Sequence, residues 1–141
     1  MIYRNKYLLI NVILIVASCR SLQINQCSPC DIKYLAIAEK IFNKSNIKNA
    51  LCSISHECIN NVEFMEYSND LIFLFIEKEA EITITEISKL KKKRQDFILQ
   101  ILTNPINDEI NLKLVRERLQ NLKSRDKKEK ILVSNILASL N

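Results

Sequence analysis

The chain contains no glycine and no tryptophan, and its 141 residues include only two prolines and one histidine. Glycine provides the positive φ angles of tight hairpin turns and the close backbone approach of phosphate-binding loops. Its absence therefore argues against β-hairpin folds, P-loops and dinucleotide-binding fingerprints. A single histidine without glycine also offers no nucleophile elbow and no Ser-His-Asp arrangement. We expect a protein that is not an enzyme and that binds no cofactor.

Charged and aromatic residues are not combined in the way that is typical of nucleic-acid binding. The formal net charge is +5, aromatic residues make up 6%, and the only dense cationic run is Lys91, Lys92, Lys93 and Arg94. Nucleic-acid-binding surfaces combine a basic face with stacking aromatic side chains, so we expect no nucleic-acid partner. The run instead indicates a solvated helix face, with contact to anionic lipid headgroups as the alternative.

The amino-terminal residues have the pattern of an export signal. Arg4 and Lys6 precede an apolar run over residues 7–17 that only Asn11 interrupts. A basic start, an apolar stretch of about 7–15 residues and a small-residue cleavage site define such a signal. The run is shorter than the roughly 20 residues that a membrane-spanning helix needs. We therefore predict a signal peptide over residues 1–18, and its removal takes two positive charges from the formal +5.

The end of this segment, Val16, Ala17, Ser18 and Cys19, resembles the lipobox of bacterial lipoproteins, in which an aliphatic and two small residues precede an invariant cysteine. The resemblance implies cleavage before Cys19, a diacylglycerol on its thiol and a fatty acid such as palmitate on its new amine. In enterobacterial lipoproteins an acidic second residue favours the inner membrane. Arg20 therefore points to the outer membrane of a cell that has one. Ordinary secretion is the alternative, since Val16 and Ser18 also satisfy a small-residue cleavage rule.

The remaining chain is predicted as a polar linker, residues 19–26, followed by one helical domain, residues 27–141. Ser28, Pro29 and Asp31 have the residue types of a helix start, with Ser28 as the cap and Pro29 at the first helical position. A second helix is predicted from residues at spacings of three and four: Ile47, Leu51, Ile54 and Cys58.

The middle of the chain is harder to interpret from its pattern. Residues 60–69 are polar and irregular, and residues 71–76 are apolar on all sides, which fits a buried helix or a buried strand. We favour a helix over 71–85, because the residues that follow the apolar run are poor turn formers. Among them, Glu79 and Glu81 indicate exposed surface rather than a catalytic pair. A capping box at Thr83 to Glu86 then predicts a helix that extends to Leu102, before Pro105.

The predicted helix starts are evenly spaced along the sequence. The first helices of three pairs begin at Asp31, Asp70 and Asp108, and the second helices begin near Ser45, Thr85 and Asp126. HEAT and armadillo repeats recur at about 40–47 residues, each repeat being a helical hairpin. We therefore predict an all-α fold of three helical hairpins. A short HEAT-like solenoid and an irregular bundle both remain open.

Four cysteines remain if Cys19 carries lipid. An even number in an exported chain predicts two disulfides among Cys27, Cys30, Cys52 and Cys58. Cys52 and Cys58 on one predicted helix lie too far apart to bond, and an antiparallel hairpin brings Cys58 beside Cys30. We expect Cys30–Cys58 and Cys27–Cys52, with a local Cys27–Cys30 bridge as the alternative.

Two other chemistries compete for these cysteines. The sequence from Cys27 to Cys30 resembles the C-x-P-C of thioredoxin-like oxidoreductases, in which a helix start lowers a thiol pKa. The strand-rich fold and cis-proline loop of that family have no counterpart here. Cys27, Cys30, Cys52 and His56 also have ligand types and spacing suited to zinc. Oxidation outside the cytoplasm competes with both, so we expect no metal and a partly exposed His56.

These observations lead to one functional hypothesis and two alternatives. The chain is predicted to be a membrane-anchored envelope lipoprotein whose small helical domain binds another protein. The first alternative is a soluble secreted helical effector that disulfides stabilise. The second is a zinc- or thiol-dependent protein that uses the cysteine cluster.

Overall fold

The computed structural model describes residues 28–123 and 126–140, so the expected signal peptide and Cys19 lie outside the described residues. The described part contains six α-helices, one 3₁₀ turn and no strand. They are α1 Ile32–Lys40, α2 Lys44–Ser53, the 3₁₀ turn His56–Cys58, α3 Val62–Ser88, α4 Lys92–Leu102, α5 Leu112–Gln120 and α6 Lys127–Ser139. The predicted all-α class is confirmed, and the ambiguous segment 71–85 is helical.

Helix α3 is the centre of the fold, because each of the other five helices packs against it. It begins after Asn61, whose side chain accepts a hydrogen bond from the backbone N–H of Phe64 at 3.1 Å. Its apolar residues are buried on all sides rather than along one stripe, as expected for a helix that is surrounded. They are Phe64, Leu71, Ile72, Phe73, Phe75, Ile76, Ala80, Ile84 and Ile87.

The central helix is kinked at Glu79, whose φ of −140° and ψ of 54° are not helical. The hydroxyl of Thr83, which is fully buried, lies 3.1 Å from the carbonyl oxygen of Phe75 and 2.8 Å from that of Glu79. A kink interrupts the regular backbone ladder, and a hydroxyl can take the place of the missing donors. The hydroxyl of Thr83 therefore stabilises the kink.

The outer helices cover α3 with short apolar faces. Burying one such aliphatic side chain contributes about 1.5–3 kcal/mol relative to leaving it exposed. Helices α1 and α2, with the residue that follows α2, contribute Leu35, Ala38, Ile47, Ala50, Leu51 and Ile54; α4 contributes Phe97, Ile98, Ile101 and Leu102; α5, α6 and the last described residue contribute Val115, Leu119, Leu132, Ile136 and Leu140.

Side-chain caps define most of the helix starts. The helices predicted to begin at Asp31 and near Asp126 do begin there, and each of these residues caps its helix, α1 or α6, by accepting a hydrogen bond from a backbone N–H of the first turn. Ser28 was predicted as the cap with Pro29 as the first helical residue, and this is wrong. Pro29 and Cys30 form a turn before the Asp31 cap.

Three other predicted boundaries are also wrong. Asp70 and Thr85 lie inside α3, and Asp108 lies in the turn before Asn111, which caps α5. The predicted spacing of 38–41 residues is therefore not seen in the helix starts of the described residues. Asp70 starts no helix because Asn61 already caps a helix that continues through the polar residues before it.

Two predicted helices are shorter than expected. The second ends at Ser53, where Ile54 and Ser55 are extended, so Cys58 lies in the 3₁₀ turn instead. The helix predicted from Thr83 to Leu102 is interrupted at residues 89–91, which separate α3 from α4. Across residues 28–123 and 126–140, no helix combines the length and the apolar character needed to cross a membrane.

Candidate functional site

The cysteines meet at the end of the body where the described chain begins. Cys30 is bonded to Cys58, with their Cα atoms 5.4 Å apart, as predicted. Cys52 is disulfide-bonded as well. Its expected partner, Cys27, lies outside the described residues, so the Cys27–Cys52 pairing stays a prediction, as does lipid on Cys19. The alternative bridge between Cys27 and Cys30 is wrong, because Cys30 bonds Cys58.

The backbone holds Cys30 in position for this bond. Its φ is 61°, in the left-handed region that glycine usually occupies. The N–H of Cys30 donates to the carbonyl oxygen of Ser53 at 2.9 Å, and the 3₁₀ turn places Cys58 beside the same carbonyl. A continuous second helix is therefore not what brings the two cysteines together. The two cysteines come together because α2 ends at Ser53 and the extended residues Ile54 and Ser55 follow it.

The Cys30–Cys58 bond bears on the two alternatives for these cysteines, thioredoxin-like redox chemistry and zinc binding. In the thioredoxin-like motif the two cysteines of C-x-P-C bond each other, whereas here Cys30 bonds a cysteine outside the motif. Zinc coordination needs thiolates, and both Cys30 and Cys52 are oxidised. Over the described ranges, no three side chains of the metal-ligating types are grouped so that they could hold an ion.

His56 lies on the surface of the 3₁₀ turn and faces an aromatic ring rather than the cysteines. Its ring centroid lies 5.5 Å from that of Phe97 on α4. The expectation of an exposed histidine is met, although the residue is in a 3₁₀ turn and not in an α-helix. The contact connects the 3₁₀ turn, which contains Cys58, to α4.

A groove of about 380 Å³ lies where the 3₁₀ turn meets the start of α4. We call it the basic groove, defined by residues 55–57 on one side and by five residues of the α3–α4 connection and the first turn of α4 on the other. These five are Lys89, Leu90, Lys91, Lys93 and Arg94. Arg94 also donates from Nη1 to the sulfur of Cys52 at 3.5 Å, so the groove adjoins the cysteines directly.

The positive charges of the basic groove are only partly compensated. Lys89 pairs at 2.8 Å with Glu86, a buried carboxylate that Lys44 also approaches to 4.0 Å. Outside the lining, Lys92 pairs with Asp96 at 2.6 Å. Lys91 and Lys93 are exposed and form no ion pair with any described residue. Both lie at the start of α4, where the helix dipole is already positive and favours anions.

The sequence identified the cationic run but not its surroundings. Residues 91–94 were predicted to be a solvated helix face, whereas Lys91 is the residue before α4 and carries no side-chain cap. Lys89 and residues 55–57 were not identified, because their approach to the run depends on tertiary packing. Glu79 is half-buried at the kink of α3, and Glu81 is exposed.

A second groove, of about 560 Å³, lies between the α3–α4 connection and α6, and we call it the α6 groove. Ile131 contributes an apolar side chain that is 52% exposed. Charged residues of both signs surround it, among them Lys92, Asp126 and Glu129. An apolar centre with a polar rim is the usual composition of a protein-binding surface.

Comparisons with known proteins returned no match to any protein-family model, any curated protein or any solved structure.

Proposed function

We propose that this chain is a lipoprotein of the cell envelope, anchored through Cys19, whose helical domain binds another protein. The Cys30–Cys58 disulfide carries the proposal. Disulfides persist in oxidising compartments such as the periplasm and the cell surface, and they are rare in the cytosol. Export is the one route that connects such a bond to the signal-like residues 1–18.

The position of the disulfide supports a tether at Cys19. Residues 20–26 form a polar linker, which reaches about 23–25 Å when fully extended. The cross-linked end of the body follows directly, at Cys30. A lipid on Cys19 would therefore hold the helical domain within a few tens of ångströms of the bilayer surface, by the end that the disulfide cross-links.

Labelling with a palmitate analogue in the producing cell tests the anchor. We expect label on the wild-type chain and none on a Cys19→Ala variant, because that substitution removes the thiol on which lipidation and cleavage depend. A Cys52→Ala variant is the matched control, since it also loses one cysteine but keeps Cys19. An unlabelled wild-type chain in the culture medium would contradict the proposal and favour a secreted effector.

The α6 groove is the surface that we assign to the protein partner. We expect the partner to be a folded envelope protein that inserts an apolar side chain beside Ile131, between charges of both signs. A photoreactive residue in place of Ile131 should yield one discrete cross-linked species. The same residue in place of Ile106, which is 59% exposed and does not line the groove, is the control. Equal cross-linking from both positions would overturn this assignment.

A further inference from the structure

We propose that the basic groove docks on an anionic membrane surface, so that the body lies with its disulfide end against the bilayer. The inference rests on the proposed function, because it takes Cys19 as the membrane tether. Three observations support it: where the linker joins the body, which charges face outward there, and how a short tether changes weak binding.

The basic groove lies at the end of the body where the linker arrives. The described chain begins at Ser28, and Cys30 is bonded to Cys58, which directly follows the groove residues 55–57. On the other side of the groove, the guanidinium of Arg94 lies 3.5 Å from the sulfur of Cys52. A tether that starts near Cys30 therefore brings this surface towards the membrane.

The charges of the basic groove suit anionic headgroups. Among the described residues that line it, Glu57 is the only acidic one, against Lys89, Lys91, Lys93 and Arg94. Of these, Lys91 and Lys93 have no ion pair with a described residue, so headgroups need not displace an existing partner. A lysine near an anionic bilayer strengthens binding about fivefold.

The tether allows the basic groove to dock on the membrane although its own affinity for lipid is low. A few cations alone give a low affinity for membranes, but a short linker keeps the groove at a high effective concentration beside the headgroups. Docking would then fix which face of the body points away from the bilayer. The groove therefore sets the orientation of the domain, while the lipid supplies the attachment.

Vesicle sedimentation tests the groove without the lipid. The chain from residue 19 onward, with Cys19→Ala and its disulfides oxidised, is mixed with phosphatidylglycerol–phosphatidylcholine vesicles at low salt. We expect binding to these vesicles and little to pure phosphatidylcholine. The double variant Lys91→Glu, Lys93→Glu should bind at least about twentyfold more weakly, because two lysines are lost.

A matched variant separates the groove from net charge. Lys113→Glu, Lys123→Glu makes the same change in total charge at two exposed lysines that do not line the basic groove. We expect it to retain most of the binding. Equal loss in both double variants, or equal binding of the wild-type chain to neutral and anionic vesicles, would overturn the inference.

A tryptophan reporter tests the orientation directly, since the chain has no tryptophan of its own. Ile59 follows Cys58 and is 47% exposed, and Ile106 lies beyond the far end of α4. On binding to anionic vesicles, Ile59→Trp should show a blue-shifted emission and Ile106→Trp should not. The opposite pattern would overturn the inference.

These results are separable from those that test the anchor. A chain that carries label on Cys19 but whose body ignores anionic vesicles would contradict the docking inference alone. A chain that binds such vesicles through Lys91 and Lys93 but carries no label would contradict the proposed anchor alone.

Discussion

The two ends of the described chain are attached to α3 by different means. Helices α1 and α2, with Ile54 that follows α2, have six fully buried apolar residues, and the Cys30–Cys58 bond closes the segment that contains them. Helices α5 and α6 contain no cysteine and are attached by apolar packing and a few polar contacts. The cross-link therefore reinforces the end that already has a complete core. The disulfide therefore does not compensate for a weak core, and its position agrees with the tether that we propose at Cys19.

Each end also has a side-chain hydrogen bond that connects it to α3. Tyr67 on α3 donates to a carboxylate oxygen of Glu39 on α1 at 2.5 Å. Thr85, near the other end of α3, donates to Glu129 on α6 at 2.9 Å. The contrast between the two ends thus lies mainly in the disulfide, and removing individual contacts should show how much each one matters.

Removing the disulfide should have the largest effect. The bond joins residues 28 apart in sequence, and closing a loop of that length stabilises the folded state by about 3–4 kcal/mol. We expect Cys30→Ala, Cys58→Ala to lower the free energy of unfolding in urea by this amount. In hydrogen exchange, α1 and α2 should lose more protection than α5 and α6.

The wild-type chain under reducing conditions is the control for this variant. When the double variant is also reduced, the disulfide at Cys52 is open in both chains, so the difference between them measures only the packing of the two sulfur atoms. Unchanged stability in the double variant would show that the disulfide adds nothing to the folded state, and would contradict the comparison.

A smaller effect is expected at the other end. Thr85→Val removes the hydrogen bond to Glu129 and should lower the free energy of unfolding by about 1 kcal/mol. The loss should be accompanied by faster exchange in α6 rather than in α1. Thr103→Val is the matched control, because Thr103 is exposed and bonds only within its own turn. Similar exchange of α6 in both variants would contradict the role of Thr85.

The smallest effect on stability is expected at high pH. Partial burial, then the hydrogen bond and the charge of Glu39, raise the pKa of Tyr67 to about 12 from the ordinary 10. A raised pKa in the folded state stabilises the fold fully below pH 10, and this contribution is lost as the pH rises towards 12. We expect α1 to loosen in that range, before α6 does.

Ultraviolet absorbance of the tyrosinate measures this titration. With the signal peptide removed, a Tyr34→Phe background leaves Tyr67 as the only tyrosine. In that background Glu39→Gln should lower the pKa of Tyr67, because it removes the negative charge that opposes ionisation. An unchanged titration would show that Glu39 does not act on this hydroxyl.

Much of the fold could be predicted where local signals agree with packing. The apolar spacing of α4 and the helix starts at Asp31 and Asp126 are local features, and the structure contains all of them. The Cys30–Cys58 pair followed from hairpin geometry, although the helix assumed for Cys58 ends earlier at Ser53.

The first half of α3 could not be predicted, because its stabilising contacts are distant in sequence. Residues 60–69 are polar, but Asn69 is buried and its amide bonds the carbonyl oxygens of Ile101 and Asn104. Thr83 was interpreted as part of a capping box, yet its hydroxyl donates to backbone carbonyl oxygens at the kink near Glu79. For Asn69 a tertiary contact, and for Thr83 a contact within the kinked helix itself, replaces the local role that the residue type suggests.

The same limit applies to the candidate site. The cationic run was visible in the sequence, but the basic groove exists only because residues 55–57, with His56 against Phe97, pack against α4. Spacing along the chain does not indicate this approach. The α6 groove could not be predicted either, since Thr85 and Glu129 come together across 44 positions.

The central position of α3 has a consequence for the order in which the molecule assembles. Polypeptides are synthesised from the amino terminus, so α1 and α2 emerge with their apolar faces while the helix that covers them is still incomplete. Those faces stay uncovered until residues up to Ser88 have been added. Cys30, Cys52 and Cys58 all precede α3, so early oxidation would have to select the correct pairing without the finished core as a guide.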